Sequence, residues 1–299
     1  MYNILSRLYF IIWSSLVIIA NTHAAVIYGT TSAGYIRGWD VTTGAEISSL
    51  SPAITSFGLA YGDGVIYGTT SAGNIRGWDV TTGAEISSLS FAITSFGLAY
   101  GDGVIYGTTS AGNIRGWDVT TGAEISSLSF AITSFGLAYG DGVIYGTTSA
   151  GNIRGWDVTT GAEISSLSPA ITSFGLAYGD GVIYGTTSAG NIRGWDVTTG
   201  AEISSLSPAI TSFGLAYGDG VIYGTTSAGN IRGWDVTTGA EISSLSPAIT
   251  SFGLAVQSTL PVPVPAPPTA FLLLIGGIVS IILLRTSQMA MLELNTDHV

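Results

Sequence analysis

Short runs dominated by apolar and β-branched residues recur along this chain, separated by small polar residues and glycine. In the first copy the runs are Val26 to Thr31, Tyr35 to Val41, Ala45 to Ser51 and Thr55 to Tyr61. Ser32-Ala33-Gly34, Thr42-Thr43-Gly44, Pro52-Ala53-Ile54 and Gly62-Asp63-Gly64 lie between and after them. Runs of this length, rich in Val, Ile, Thr, Tyr, Phe and Trp and bounded by Gly and Asp, predict strands joined by tight turns. The glycine and β-branched content disfavours helix. The four-run unit is 39 residues long and begins at Val26, Val65, Val104, Val143, Val182 and Val221.

A period of this size marks an array or a propeller. Four short antiparallel strands make one propeller blade, and six copies fall within the usual range of about four to eight blades. The expected fold is therefore all-β, a six-bladed β-propeller over residues 25–256. Both faces of a blade pack against neighbours, so both side-chain parities should be largely uncharged. Thr55 to Tyr61 places Phe57, Leu59 and Tyr61 on one parity and Ser56, Gly58 and Ala60 on the other. This run is predicted to be innermost, its large side chains filling the gap to one neighbour while its small ones admit the other. The repeats begin at the second strand of a blade and stop after a sixth innermost strand, Thr250 to Val256. That strand is expected to pair with Val26 to Thr31 and close the ring, removing exposed edges. The Gly-Asp-Gly turn after every earlier inner strand is absent after Val256. An open solenoid is the alternative.

Composition narrows the chemistry. The chain has no Cys, and its eight basic residues, all Arg, face 19 acidic ones for a net charge of −11. Nucleic-acid binding needs a basic stripe, and none is present. His23 and His298 lie outside the repeats, so the repeats lack the imidazole and thiol on which most zinc sites and His-dependent nucleophiles rely. No cofactor is expected.

The two ends carry addresses. Arg7 followed by the apolar run Leu8 to Ala20, then Thr22-His23-Ala24, reads as a secretory signal over residues 1–24 cleaved after Ala24. At the other end a Pro-rich linker (257–268) of extended, semi-rigid character leads to Thr269–Leu284, sixteen residues without a charge, closed by Arg285. As a helix this segment spans about 24 Å against a hydrocarbon core of about 30 Å, enough to cross with Arg285 snorkelling. A tail, 286–299, follows. Val262-Pro263-Val264-Pro265-Ala266, the apolar run and Arg285 together resemble the PEP-CTERM sorting signal of Gram-negative envelope proteins. That resemblance implies processing by the membrane protease exosortase. Unprocessed, the helix (269–285) serves as a plain membrane anchor, with Arg285 inside and the repeats outside.

Ile36-Arg37-Gly38-Trp39-Asp40-Val41-Thr42-Thr43-Gly44 resembles a WD-repeat. Its Asp40-x-x-Thr43-Gly44 turn also resembles quinoprotein-type propellers, although Ser48 stands where those place a docking Trp. Both resemblances imply a β-propeller, and no quinone dependence carries over. The physics of the turn agrees, since Asp40 can accept from N–H groups two or three residues on and Gly44 permits a positive φ.

Asp40 and its copies are read as turn formers rather than acids or ligands. Asp63, Asp102, Asp141, Asp180 and Asp219 are read as turn residues, because a calcium site needs six to eight oxygens and each loop offers one Asp. Arg37 and Glu46 are expected to pair on the rim, and Trp39 to pack between blades or, if exposed, to stack on sugars. The expected function is a non-catalytic binding or structural module of the cell envelope or extracellular matrix, exported across the inner membrane of a Gram-negative bacterium. Equal blades suit a repetitive partner such as exopolysaccharide or an envelope protein. The alternative is an extracytoplasmic polysaccharide lyase or hydrolase with its site in the central channel.

Overall fold

The computed structural model describes residues 25–258, apart from segments 51–57, 90–96, 129–135, 168–174, 207–213 and 246–252 and positions 32, 71, 110, 149 and 188. The expected leader, most of the Pro-rich linker, the apolar helix and the tail lie outside the described residues. So do the positions assigned to them: Ala24, Val262, Pro263, Pro265 and Arg285.

All regular structure among the described residues is strand, numbered β1–β24 with four strands per repeat. The first are β1 (Val26–Thr30), β2 (Ile36–Asp40), β3 (Glu46–Leu50) and β4 (Leu59–Gly62), and the set recurs through β24 (Leu254–Gln257). The first predicted run ends one residue early, the second is trimmed by one residue at each end and the third begins one residue late, because those residues serve the turns. Thr31 N–H donates to Tyr35 O at 2.8 Å, and Asp40 N–H donates to Ala45 O at 2.9 Å. The fourth strand instead runs one residue further than predicted. Gly62 pairs with Val65, leaving a two-residue turn, Asp63-Gly64, whose φ values are 50° and 80°. Positive φ at both positions matches the twist of a hairpin, and Asp-Gly is a favoured pair for it.

The strands form six four-stranded antiparallel sheets. Blade 1 is β24-β1-β2-β3, with Val26 opposite Gln257 and Ile27 opposite Val256. Blade 2 is β4 with β5 (Val65–Thr69), β6 (Ile75–Asp79) and β7 (Glu85–Leu89), and blades 3 to 6 repeat it. The inner strands β4, β8 (Leu98–Gly101), β12 (Leu137–Gly140), β16 (Leu176–Gly179), β20 (Leu215–Gly218) and β24 touch in turn, and β24 touches β4. The ring is therefore closed by the two ends of the repeat region, as its phase predicted, and the open solenoid is excluded.

Between blades 1 and 2, Val26, Tyr28, Ile36, Leu50 and Ala255 meet Leu59, Tyr61, Ile66, Trp78 and Val80. Ala60 of the same inner strand faces blade 3, so the predicted division of large and small side chains holds for the described part of that strand. All five residues of β1 are buried, as a strand packed on both faces requires. Each large side chain so enclosed contributes about 1.5–3 kcal/mol.

Candidate binding surfaces at the channel mouth and the blade rim

The inner strands surround an axial cavity of about 140 Å³ lined by the Leu, Ala and Tyr or Val of each. Neighbouring strands are antiparallel, so the Asp63-Gly64 turn and the turn from Val80 to Ala84 lie at the same end of blade 2. A backbone bond joins them, from Val80 N–H to Gly64 O at 3.0 Å. The six Asp40-type and five Asp63-type aspartates thus gather on one face of the disc. They account for most of the chain's 19 acidic residues. Turns at the opposite end, such as Thr70 to Asn74, carry no charge.

Asp40, Thr43 and Gly44 build the outer of these turns. Asp40 Oδ1 accepts from Thr42 N–H at 2.8 Å and from Thr43 N–H at 2.7 Å. Gly44 N–H donates to Asp40 O at 2.9 Å, and Gly44 has φ 72°. In the second copy the Thr82 hydroxyl also donates to Asp79, at 2.9 Å. The Thr43 N–H, with smaller help from Thr42, holds the Asp40 carboxyl below its ordinary value of 3.8. These carboxylates are occupied within their own turns.

The inner turns hold a pairing that the sequence reading did not anticipate. Tyr100 Oη of blade 3 donates to Asp63 Oδ2 of blade 2 at 2.5 Å. The same bond links Tyr139 to Asp102, Tyr178 to Asp141 and Tyr217 to Asp180. Each of these tyrosines also stacks on a second-strand tyrosine of the preceding blade, as Tyr100 does on Tyr67 at 5.5 Å between centroids. Space for the ring comes from glycine, since a Cβ on Gly62 would lie 1.9 Å from Tyr100 Cδ1. A signal was present in the repeat. Tyr and the Gly-Asp-Gly turn recur together and lapse together at Val256. The 37-residue separation, however, has no local meaning until blades are stacked. Among the described residues no three His, Cys, Asp or Glu side chains converge to hold a metal ion.

This network makes the ring sensitive to alkali. Burial first, and the Asp63 carboxylate second, raise the Tyr100 hydroxyl well above its ordinary 10.0. Burial and the nearby Asp push Tyr67, Tyr106, Tyr145, Tyr184 and Tyr223 up to about 12. A raised folded pKa means the fold favours the protonated phenol. The resulting stability is complete below the unfolded value near 10 and is lost as pH rises through about 12. Melting temperature should hold to about pH 10 and then collapse together with a cooperative rise in tyrosinate absorbance. Ordinary titration of the tyrosines near pH 10 in a ring that stays folded would contradict this.

The rim carries the second repeated surface. Arg37 and Glu46 pair at 3.0 Å, and the equivalent pair forms in every other blade. These pairs are over a third exposed or close to it, so each is worth at most about 1 kcal/mol. The six tryptophans of the Trp39 type are no more than 4% exposed; they pack between blades and are closed to sugar stacking. Arg193 and Arg232 lie over Trp195 and Trp234 at 5.7 and 5.9 Å. The pairing of β2 with β3 shifts register between Gly38 and Trp39, so Ile47 is the extra residue of a bulge. Ile47 and its five copies are 53–56% exposed. The sequence run containing them predicted only a strand, and the bulge that turns them outward follows from cross-strand register.

No protein-family profile matches the chain, and no curated protein sequence matches it. Solved structures do. A chain from the crystal structure of a nidogen–laminin complex aligns with TM-score 0.68 at 14% identity over 79% of this chain and 99% of its own length. The computationally designed Ika8 protein aligns with TM-score 0.53 at 20% identity over 80% of this chain and 92% of its own. BamB from Moraxella catarrhalis aligns with TM-score 0.48 at 18% identity over 75% and 70%. At these identities the likeness concerns fold. With six four-stranded antiparallel blades closed around a channel, the chain is a six-bladed β-propeller.

Proposed function

We propose that this propeller is an exported, envelope-anchored module without catalytic activity, binding a repetitive partner such as exopolysaccharide or an envelope protein. The observation that carries the proposal is the recurrence of one exposed surface around the ring. Ile47, Arg37 and Glu46 have equivalents in every blade. A partner with matching periodicity engages several copies at once, and weak contacts then multiply through effective concentration. A catalytic centre needs unlike residues at one point, whereas the polar groups here recur with the blades. Export and sorting are supported by the residue pattern around Ala24 and by Val262, Pro263, Pro265 and Arg285. A PEP-CTERM-type signal handled by exosortase, or a retained anchor, places the ring at the outer side of the inner membrane or in the matrix.

The acidic face disfavours contact with an anionic polymer, so polysaccharide contact is assigned to the rim and is expected to be insensitive to salt. The test immobilises the host's matrix polysaccharide at high and low density and measures dissociation of the full chain. Dissociation should be at least about tenfold slower from the dense surface, with little change between low and high salt. Density-independent dissociation, or binding that vanishes in salt, would reject the polyvalent reading.

A further inference from the structure

We propose that the tyrosine–aspartate pairs of the inner turns are one-electron donor sites, each tyrosine giving an electron to a cationic oxidant and its hydroxyl proton to the aspartate of the preceding blade. The pair is built four times, as Tyr100–Asp63, Tyr139–Asp102, Tyr178–Asp141 and Tyr217–Asp180, each at 2.5 Å. Loss of an electron makes a phenol O–H strongly acidic, so the electron leaves readily only if the proton can leave with it. Burial keeps the Tyr100 hydroxyl protonated at neutral pH, and the easily oxidised phenolate is therefore scarce. A base already in contact with the hydroxyl is what the reaction needs, and Asp63 Oδ2 is that base.

The parts are held in place before any oxidant arrives. Asp63 sits in a two-residue turn at φ 50°, and Val80 N–H ties the next carbonyl, Gly64 O, at 3.0 Å. The Tyr100 ring lies against Gly62 and stacks on Tyr67 at 5.5 Å, with the two planes 10° apart. Such fixed geometry removes the search for a proton acceptor from the barrier. In the step itself the oxidant gains one electron and Tyr100 loses it. The Tyr100 O–H bond breaks, and an O–H bond forms at Asp63 Oδ2. A neutral tyrosyl radical and a neutral carboxylic acid remain. Re-reduction by one electron returns the proton along the same hydrogen bond. Tyr67, 2% exposed, shields one face of the radical. Tyr100 is half-buried, and its partner's turn lies on the acidic face, where the field concentrates a cation. The competing donors, the Trp39-type side chains, are enclosed between blades.

Flash photolysis of the full chain with a ruthenium tris-bipyridine complex and a sacrificial quencher supplies such an oxidant. The tyrosyl radical is followed at neutral pH by its absorbance and its electron paramagnetic resonance signal. In the folded wild-type chain its rate of formation should not change as buffer base is added, because the base is internal. In the same chain unfolded in urea the rate should rise with buffer base. Asp63→Asn, Asp102→Asn, Asp141→Asn and Asp180→Asn in one chain keep a carbonyl oxygen for each tyrosine and a residue that tolerates positive φ, but no acceptor for the proton. That variant should form the radical at least about tenfold more slowly, the factor a charged acceptor contributes to the barrier, and should regain dependence on buffer base. Tyr100→Phe, Tyr139→Phe, Tyr178→Phe and Tyr217→Phe together should remove the fast phase. A wild-type rate that climbs with buffer base overturns the proposal, as do equal rates in the wild type and the asparagine variant. A tryptophanyl signal as the first product overturns it as well.

Discussion

Gly101→Ala should destabilise the ring by about 3 kcal/mol or more, although it adds a single methyl group. The added Cβ would lie 1.9 Å from Tyr139 Cδ1 and 2.0 Å from Cε1. The ring cannot step aside freely. It stacks on Tyr106 at 5.6 Å, and its hydroxyl is bonded to Asp102 at 2.5 Å. Relieving the clash therefore breaks a bond to a charged acceptor and disturbs a packed interface together. Gly103→Ala, two residues on, is the control. That glycine has φ 76° and nothing within 4 Å of an added Cβ, so its cost is the backbone term of about 1–2 kcal/mol. Denaturant midpoints of the two variants should separate clearly. Combining Gly101→Ala with Tyr139→Ala should recover part of the loss, since the clash goes with the ring. Equal midpoints for Gly101→Ala and Gly103→Ala would show that the tyrosine contact carries no strain.

Ending the chain after Gly253 should abolish the folded ring, whereas ending it after Ser258 should leave the ring intact. The two products differ only by β24 and Ser258. Leu254 and Ala255 are each 5% exposed, and the strand pairs with β1 while touching the inner strands on both sides. Its loss uncovers the hydrogen-bonding edge of β1 and the apolar faces that met Leu254 and Ala255. Burial arithmetic puts the loss on the order of 5 kcal/mol, comparable to the whole net stability of many domains. The shorter product should lose its cooperative melt and associate through the open edge. A monomeric product with an unchanged melting temperature would mean that ring closure contributes little to the fold.

Both predictions concern strands that the sequence identifies and contacts that it does not. The alternation along Leu59-Ala60-Tyr61 identifies an inner strand with one large and one small side, because side chains alternate along any strand. The Asp40-Thr43-Gly44 turn is legible for a similar reason: its donors and acceptor lie within four residues of each other. Closure by Leu254–Gln257 is legible from phase, since the repeats begin one strand late and finish one strand on. Trp39 left two readings open, because a flat aromatic side chain suits a blade interface and a sugar face equally. The stacking of blades closed the second.

The 39-residue period, the four strands of each unit, the Asp40 and Asp63 turns and the strand that seals the ring are all legible in the sequence, because each rests on short-range backbone geometry or on counting. Curvature and register settled the rest. They bring Tyr100 to Asp63 across a blade boundary, place both sets of aspartates on one face and turn Ile47 outward at a bulge. Those outcomes depend on which side chains of different repeats come within a few ångströms of each other, and a linear repeat holds no distance between its copies until the ring is formed.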